Sequence, residues 1–272
     1  MSGRLYVCAT PIGNLEDVSL RLLRTLAEVD LVAAEDTRRT RKLLTAHGVQ
    51  AQLVAYHQAN EHKQTGYLVE KMRRGVRLAL VSDGGMPAVS DPGYLLVQAC
   101  ITEGVPVEVI PGPSAVLSAL VLSGLPTARF AFEGFLPKPR GEKETRLRAV
   151  ADDDRTLVFF EAPGRAGATL EVAREILGER RMALARELTK MHEEILRGTI
   201  SEVLHRLDED LRGEVVLVIE GAARQAASLE TAIDMARGLI EDGMTKSKAA
   251  AQAASTLGAP RRSVYQGLLE DP

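Results

Sequence analysis

The chain has 272 residues, of which 45% are hydrophobic and 26% are charged, and this length allows one large or two medium globular domains. Its formal net charge of −3 excludes a uniformly basic nucleic-acid-binding protein, although local basic clusters are present. No apolar run approaches the ~20 residues that a membrane-spanning helix needs, and the N-terminus carries no signal-peptide pattern, so we expect a cytoplasmic protein that contacts no membrane.

The cysteines and histidines do not support a metal-binding or disulfide-stabilised protein. Cys8 and Cys100 are the two cysteines, and each lies in an apolar segment that is typical of a reduced core thiol. The five histidines are scattered, and no cluster of histidine and cysteine has the spacing of a metal site. We therefore expect no metal.

Strands and helices alternate through the first 124 residues. The pattern predicts strands at 5–9, 31–34, 53–56, 77–81 and 105–110, with a helix after each of them. The ends of four of these helices are marked by Gly48, Gly75, Gly104 and Gly124. Such alternation favours an α/β fold with a mostly parallel sheet.

Residues 78–93 combine a buried strand with a polar, glycine-rich loop. Residues 78–81 are entirely apolar, which suits a strand buried on both faces of a parallel sheet. The run breaks at Ser82, and the next helix is predicted to begin at about Asp91. A loop of this kind reaches the carboxyl edge of the sheet, where open α/β folds bind ligands, and there Asp83 offers a carboxylate.

A second α/β segment and a helical tail follow. Strands are predicted at 129–135, 156–160, 182–185 and 215–219, and helices near 142–150, 168–177 and 200–208. Residues 137–145 are rich in charge, proline and glycine and are interpreted as a mobile loop. Alanine-rich helices at 231–241, 246–257 and 262–269 form either a helix-turn-helix type of tail or a packing appendage.

The predicted organisation is therefore two α/β domains, residues 1–124 and 125–224, with a ligand cleft between them and a small helical tail at 225–272. The first strand is followed by neither a G-x-G-x-x-G nor a Walker pattern, which disfavours NAD and ATP. S-adenosylmethionine (SAM), which has an adenosine and an amino-acid tail but no phosphates, would fit loops of proline, glycine, serine and carboxylates.

Several motifs together resemble one known family. They occupy residues 10–17, 34–40, 82–93, 109–115, 132–137, 186–190 and 213–221, in order along nearly the whole chain. In this combination the chain resembles the bacterial 16S rRNA cytidine 2′-O-ribose methyltransferases (small-subunit methyltransferase I) of the tetrapyrrole methylase superfamily. It departs from the usual pattern at Gly84, where the family commonly has alanine, and at Gly164, where it commonly has histidine.

The resemblance implies that SAM lies in the cleft and that a cytidine ribose in 16S rRNA of the small ribosomal subunit is methylated. The positions implied to touch SAM are Pro11, Asp83, Met86, Pro87, Ser114, Ala115, Glu161, Ala162, Arg186, Gly213 and Glu214. Ser114 and helix-start N–H groups are candidates to hold the carboxylate of SAM, and Asp83 its ribose or amine. Superfamily members are typically dimers, so a homodimer is expected.

The transfer also needs a proton acceptor and a path for RNA. Candidates for the catalytic groups are Asp36, Glu187 and Glu193, with Lys190 able to bias their protonation. Asp36 is equally well explained as a helix N-cap, and Glu193 as a surface helix residue. A basic cluster is the candidate RNA contact, and it consists of Arg38, Arg39, Arg41 and Lys42.

Two alternatives stay open from the sequence. A related SAM-dependent methylase could act on a tetrapyrrole, but the arginine cluster and the helical tail favour RNA. A non-catalytic RNA-binding assembly factor could also use this scaffold, but such a protein would not need the ligand loops around Asp83 and Ser114.

Overall fold

The computed structural model describes residues 3–208, 210–223 and 229–270. The chain forms two compact units, Met1–Gly221 and Ala222–Pro272. The predicted boundary between residues 224 and 225 lies outside the described residues, and the predicted division at residue 124 stays a prediction. Among the helices that the structure describes, none has both the length and the apolar character needed to cross a membrane.

The first unit contains two five-stranded sheets. The strands of the first sheet are β1 (Arg4–Cys8), β2 (Leu31–Ala34), β3 (Leu53–Ala55), β4 (Arg77–Val81) and β5 (Val107–Ile110). They are ordered β3-β2-β4-β1-β5, and all neighbouring pairs are parallel. The prediction of a parallel α/β sheet is therefore confirmed for this part of the chain.

Strand β4 lies in the middle of this sheet because its side chains are apolar on both faces. Leu78 and Leu80 pack into the core on one face, and Ala79 and Val81 pack into the core on the other. All four are at most 1% exposed. A strand whose residues alternate between two cores must have neighbours on both sides and helices above and below it.

Five helices connect these strands and continue past the last of them. They are α1 (Leu20–Glu28), α2 (Thr37–Ala46), α3 (Glu61–Arg73), α4 (Tyr94–Thr102) and α5 (Ala115–Ser123). Side-chain oxygens cap the starts of three of them, at Ser19, Asp36 and Ser114. Helix α4 begins at Tyr94 after the N-cap Gly93, so Asp91 belongs to the loop and not to the helix as predicted.

The second sheet is mixed. Its strands are β6 (Phe130–Phe135), β7 (Thr156–Glu161), β8 (Arg181–Arg186), β9 (Glu194–Thr199) and β10 (Val215–Ile219), in the order β6-β7-β10-β8-β9. Only β6 and β7 pair in parallel. The sequence analysis missed β9, because this edge strand places Glu194 and Arg197 among its apolar residues and is not a continuous apolar run.

Three helices accompany the second sheet: α6 (Arg140–Ala149), α7 (Ala166–Leu177) and α8 (Ile200–Arg206). The prediction of a mobile loop at residues 137–145 is wrong for most of that segment, since α6 begins at Arg140. Several of its polar side chains are bonded to neighbours, and Lys143 is only 5% exposed while it donates to Thr169 at 2.7 Å. The many charged residues of this segment predict a solvent-exposed loop, because composition does not show that a charged side chain is buried by a partner.

The second unit is a small helical bundle of α9 (Leu229–Glu241), α10 (Lys246–Leu257) and α11 (Arg261–Glu270). These helices confirm the three that the alanine-rich pattern predicts. Four alanines of α10 and two of α9 are buried against Val264 and Leu268 of α11. Small side chains allow the helix backbones to approach closely, which is how so few large apolar residues make a core.

Candidate active site

The loops that follow β1 and β4 are joined at the carboxyl edge of the parallel sheet. Thr10 and Gly85 exchange two backbone hydrogen bonds, each of 2.9 Å, and the Thr10 hydroxyl donates to the Ser82 carbonyl at 3.2 Å. Gly85 has φ +83°, a conformation that favours glycine. The two loops therefore form one rigid rim at the edge where open α/β sheets bind ligands.

Carboxylates connect this rim to the loop after β2. The Asp83 carboxylate accepts the backbone N–H of Asp36 at 3.0 Å and pairs with the Arg39 guanidinium at 3.4 Å. In return, the Glu35 carboxylate accepts the backbone N–H of Asp83 at 3.2 Å. Asp83 is thus held by Glu35 and Asp36 of the neighbouring loop and by Arg39 in the first turn of α2.

Three acids of this rim, Glu35, Asp83 and Asp91, bind protons more tightly than usual. Burial, together with the charges of Glu35 and Asp83, raises the pKa of Asp91 to about 6, although the nearby Ser82 hydroxyl opposes this. Burial also raises the pKa values of Glu35 and Asp83. Carboxylates that repel one another in a partly dry site favour a cationic ligand, which would relieve this repulsion.

The opposite wall comes from the loop after β8. Lys190 Nζ donates to Glu187 Oε1 at 2.8 Å and lies 3.3 Å from Glu214 Oε2, while the Glu214 N–H donates to Glu187 Oε1 at 3.0 Å. Burial lowers the pKa of Lys190, but the hydrogen bond to Glu187 and the charge of Glu214 outweigh it and leave that pKa raised. The hydrogen bond from Lys190 lowers the pKa of Glu187. At neutral pH this pair is therefore an ammonium and a carboxylate.

The same loop touches the β1 loop. The Asn14 N–H donates to the Thr189 hydroxyl at 3.0 Å, and a Cβ on Gly13 would lie 2.5 Å from the Lys190 side chain. Glu187 and Thr189 have φ of 50° and 65°, which is uncommon for residues with a side chain. The backbone in this loop is held in a sparsely populated conformation, as occurs at ligand sites.

A buried polar network supports the third wall, at the end of β7. Glu161 is 2% exposed, and its carboxylate accepts the Thr169 hydroxyl at 2.6 Å and the Ala162 N–H at 2.8 Å. Arg165 pairs with the same carboxylate, and Lys143 donates to Thr169. Burial lowers the pKa of Lys143, while the nearby Glu161 charge opposes that change.

These loops enclose a cavity of about 530 Å³, within the range of small-molecule sites. Both sheets contribute to its lining. The lining residues include Thr10, Pro11, Ile12, Arg39, Thr40, Lys42, Ser82, Asp83, Gly84, Asp91, Ala115, Phe135, Phe160, Glu161, Ala162, Lys190, Gly213, Glu214 and Val216. Within residues 3–208, 210–223 and 229–270, no group of three or more His, Cys, Asp or Glu side chains could hold a metal ion.

Ten of the residues singled out from the sequence line this cavity. They are Pro11, Arg39, Lys42, Asp83, Ala115, Glu161, Ala162, Lys190, Gly213 and Glu214. The others lie outside the lining. They are Asp36, Arg38, Arg41, Met86, Pro87, Ser114, Arg186, Glu187 and Glu193.

Several of the residues outside the lining have a structural partner. The Asp36 carboxylate caps α2 by accepting the Arg38 N–H at 2.7 Å, and the Ser114 hydroxyl caps α5. Glu193 accepts the Thr189 N–H at 2.7 Å from the turn before β9, so its interpretation as a surface helix residue is wrong. Arg186 pairs with Glu194 at 3.2 Å.

Sequence reasoning missed Asp91, Ser82 and the aromatic pair Phe135 and Phe160, all of which line the cavity. The two rings lie 5.4 Å apart between centroids. The second Ser-Asp motif, which contains Asp91, is a sequence signal for this residue, although the same motif also predicts the start of a helix. No sequence signal brings Phe135 and Phe160 together, because they meet only through the pairing of β6 with β7.

Comparisons with known proteins agree with this architecture. A family model described as Tetrapyrrole (Corrin/Porphyrin) Methylases matches residues 4–204. A curated relative from Halalkalibacterium halodurans, named Ribosomal RNA small subunit methyltransferase I, is 43% identical over 97% of this chain and 93% of its own. A relative of the same name from Synechocystis sp. is 44% identical over 98% of each chain.

The chain belongs to the small subunit methyltransferase I group of the tetrapyrrole methylase family. Solved methyltransferase structures share its fold over about four-fifths of the chain. The methyltransferase CobJ superposes with a TM-score of 0.62 at 21% identity, over 84% of this chain and 98% of its own. Uroporphyrin-III C-methyltransferase from Thermus thermophilus, solved with S-adenosylhomocysteine, gives 0.56 at 25% identity, over 79% and 97%.

The two departures of this methyltransferase from its family pattern have different surroundings. A Cβ on Gly84 would lie 3.3 Å from the Pro11 carbonyl oxygen, so an alanine there would tighten the rim of the cavity. A Cβ on Gly164 would meet nothing within 4 Å. The carboxylate of Glu161 keeps its partners Thr169 and Arg165, so the network does not depend on a histidine at position 164.

Proposed function

We propose that this methyltransferase transfers a methyl group from SAM to the 2′-hydroxyl of a cytidine ribose in 16S rRNA. The observation that carries the proposal is the identity of 43–44% over almost the whole length of relatives named for the small subunit ribosomal RNA. The cavity supports it, because its chemistry suits a cationic nucleoside without phosphates.

The cavity residues match the parts of SAM. SAM supplies a methyl group already activated by the positive charge of its sulfur. The Asp83 and Asp91 carboxylates face the same cavity and complement the sulfonium and ammonium charges. The rings of Phe135 and Phe160 offer apolar surface for the adenine base. Met86, Pro87, Ser114 and Arg186, which the resemblance implies as SAM contacts, lie outside the lining and would support the residues that line the cavity.

Of the four catalytic candidates, the geometry favours Lys190 for direct contact with the substrate. Lys190 lines the cavity and is an ammonium at neutral pH, so it donates hydrogen bonds and suits the role of orienting the attacking hydroxyl. Glu187 holds Lys190 in place. The carboxylates of Asp36 and Glu193 each accept a backbone N–H outside the lining, which favours structural roles for both.

Asp91 is the better candidate for the proton acceptor. It lines the cavity, and its pKa of about 6 lies close to neutral pH, where a carboxylate both exists as a base and binds a proton effectively. The hydroxyl of Ser82, also in the lining, is buried close to Asp91, where it helps to stabilise the ionised carboxylate.

The RNA path is proposed along α2. Arg39 and Lys42 line the cavity, while Arg38 and Arg41 lie exposed on the same helix. Guanidinium and ammonium groups at the mouth of a methylation site can bind phosphates beside the target ribose. An enzyme acting on the ribosomal subunit works in the cytoplasm, and that location is part of the proposal.

A homodimer is also part of the proposal. Leu117 and Val121 lie four residues apart on one face of α5 and are 52% and 71% exposed. Apolar side chains grouped on an exposed helix face are typical of a protein interface.

Methyl transfer to isolated subunits tests the proposed function. Small ribosomal subunits from cells lacking this enzyme are incubated with the protein and SAM labelled in the methyl group. We expect label on a cytidine 2′-oxygen of 16S rRNA, located by nuclease digestion and mass spectrometry. Label on an added tetrapyrrole and none on RNA would instead support the tetrapyrrole methylase. RNA binding without any transfer would support an assembly factor.

A further inference from the structure

Four basic residues of the second unit lie at the starts of two helices. Lys246 and Lys248 are in the first turn of α10, Arg261 and Arg262 are in the first turn of α11, and all four are exposed. The Arg261 guanidinium donates to the Ser247 hydroxyl at 3.2 Å, which brings the two helix starts together. The four residues form one surface, here called the tail basic surface.

The stability of the bundle does not explain this placement. The N-terminus of a helix carries partial positive charge, so cations in the first turn are repelled and acids are favoured there. Within the described part of the chain, none of the four makes an ion pair, whereas Arg237 of α9 pairs with Asp234 at 3.2 Å. These cations therefore raise the positive potential of the surface, and no acidic side chain among the described residues neutralises them.

The same arrangement suits a phosphate backbone. The first N–H groups of a helix have no intrahelical acceptor, and phosphates bind at such positions. Thr245, the N-cap residue of α10, makes no side-chain capping hydrogen bond, so its hydroxyl does not occupy these donors. This surface therefore combines two helix starts with four cations that make no ion pair among the described residues, and both features attract phosphate.

We propose that the tail basic surface of Lys246, Lys248, Arg261 and Arg262 binds backbone phosphates of the RNA substrate. This inference rests on the proposed function, since it assigns part of the affinity for the same RNA to the second unit. Contacts of this kind position RNA without reading its sequence. The specificity for one cytidine remains with the cavity of the first unit.

The salt dependence of RNA binding tests the inference with the full-length protein. The probe is a short, fluorescently labelled, single-stranded RNA of mixed sequence, and its affinity is measured over a series of salt concentrations. Each lost phosphate contact should reduce the slope of log K against log salt by roughly 0.7. We expect the double variant Arg261→Gln/Arg262→Gln to lose roughly 1.4 from the slope. Lys246→Gln/Lys248→Gln should lose a similar amount.

A matched pair of adjacent arginines provides the control. Arg73 and Arg74 are exposed on and just after α3 and pair with Glu103 and Glu70. Arg73→Gln/Arg74→Gln changes the net charge equally and should leave the slope at the wild-type value. If both tail variants also keep the wild-type slope while the wild type methylates small subunits, the inference is overturned and the proposed function stands. If the wild type transfers no methyl group to subunits, the proposed function fails and the inference fails with it.

Discussion

Gly213 leaves no room for a side chain beside the Glu187 carboxylate. A Cβ on Gly213 would lie 2.3 Å from Glu187 Oε1, the atom that accepts hydrogen bonds from Lys190 and from the Glu214 N–H. Gly213 also has φ +93°. The absence of a side chain at this position is therefore what allows Glu187 to hold Lys190 at the cavity.

We expect Gly213→Ala to displace Glu187 and lower kcat at least tenfold, because Lys190 loses its fixed partner. Gly243→Ala is the control, since Gly243 has the same φ of +93° and open space around its Cα. Both variants should lose about 1 kcal/mol of stability through backbone strain. Single-turnover methyl transfer measures the difference, and equal kcat in the two variants would contradict this role of Gly213.

Asp83→Asn should weaken SAM binding. The amide keeps the shape but removes the negative charge that faces the cavity, and it cannot accept both the Asp36 N–H and the Arg39 guanidinium as a carboxylate does. A hydrogen bond to a charged group contributes about 1.5–3 kcal/mol, so we expect a 10- to 100-fold rise in Kd. Isothermal titration calorimetry measures Kd, with Asp17→Asn on the exposed surface as control. An unchanged Kd would remove Asp83 from the SAM site.

Asp91 should make both stability and SAM affinity depend on pH. Its pKa is raised from 3.8 to about 6 by burial and nearby acids, so the folded state holds the proton more tightly than the unfolded state. The resulting stability is complete below about pH 4 and is lost as pH rises through about 6. We therefore expect Asp91→Asn to raise the free energy of unfolding by about 1–2 kcal/mol near pH 8, after allowance for partial exposure, and to change little near pH 4.

The affinity for SAM should rise with pH, whereas the stability contributed by Asp91 falls with pH. Ionised Asp91 attracts the cationic cofactor, so wild-type affinity should rise between about pH 5 and pH 7 as this carboxylate loses its proton. Asp91→Asn should remove most of that rise, while Asp210→Asn on the surface should retain it. Denaturant unfolding and calorimetry at several pH values test both effects. A parallel pH profile in the wild type and Asp91→Asn would contradict the assignment.

The basic residues of α2 should separate into two functional pairs. Arg39 and Lys42 line the cavity, whereas Arg38 and Arg41 do not. Arg39→Gln/Lys42→Gln should lower kcat/KM for small subunits more than Arg38→Gln/Arg41→Gln, by about tenfold if one phosphate contact beside the target ribose is lost. The two variants remove equal charge. An equal loss of kcat/KM in the two variants would indicate that α2 attracts RNA at long range and does not contact a phosphate at the cavity.

Thr169→Val should destabilise the protein through the network behind Glu161. The valine has nearly the same shape but cannot accept from Lys143 or donate to Glu161, and all three residues are buried. Hydrogen bonds to buried charges contribute about 1.5–3 kcal/mol, so we expect a loss of about that size and a lower Tm. Thr145→Val, whose hydroxyl is exposed on α6, is the control. Equal Tm values in the two variants would show that the network does not contribute.

Local sequence patterns were sufficient for much of the fold. The apolar residues 78–81 predict a central strand because only a strand with two cores can bury every side chain. The sequence also predicts Asp36 as a possible N-cap, because capping depends on residues next to it in the chain. The glycine at position 124 ends α5 in a left-handed conformation, as its sequence context predicts.

Only the tertiary structure decided which of the candidate polar residues line the cavity. Glu193 and Asp36 are polar residues near strand ends, like Lys190, and only the path of each loop shows which of them lines the cavity. Asp91 owes its raised pKa to burial, to Glu35 on the loop after β2, and to Asp83 at the other end of its own loop. Hydrophobic periodicity and capping act over a few neighbouring residues, so a sequence displays them directly. Burial, charge proximity and cavity lining arise from residues far apart in the chain, and folding alone brings them together.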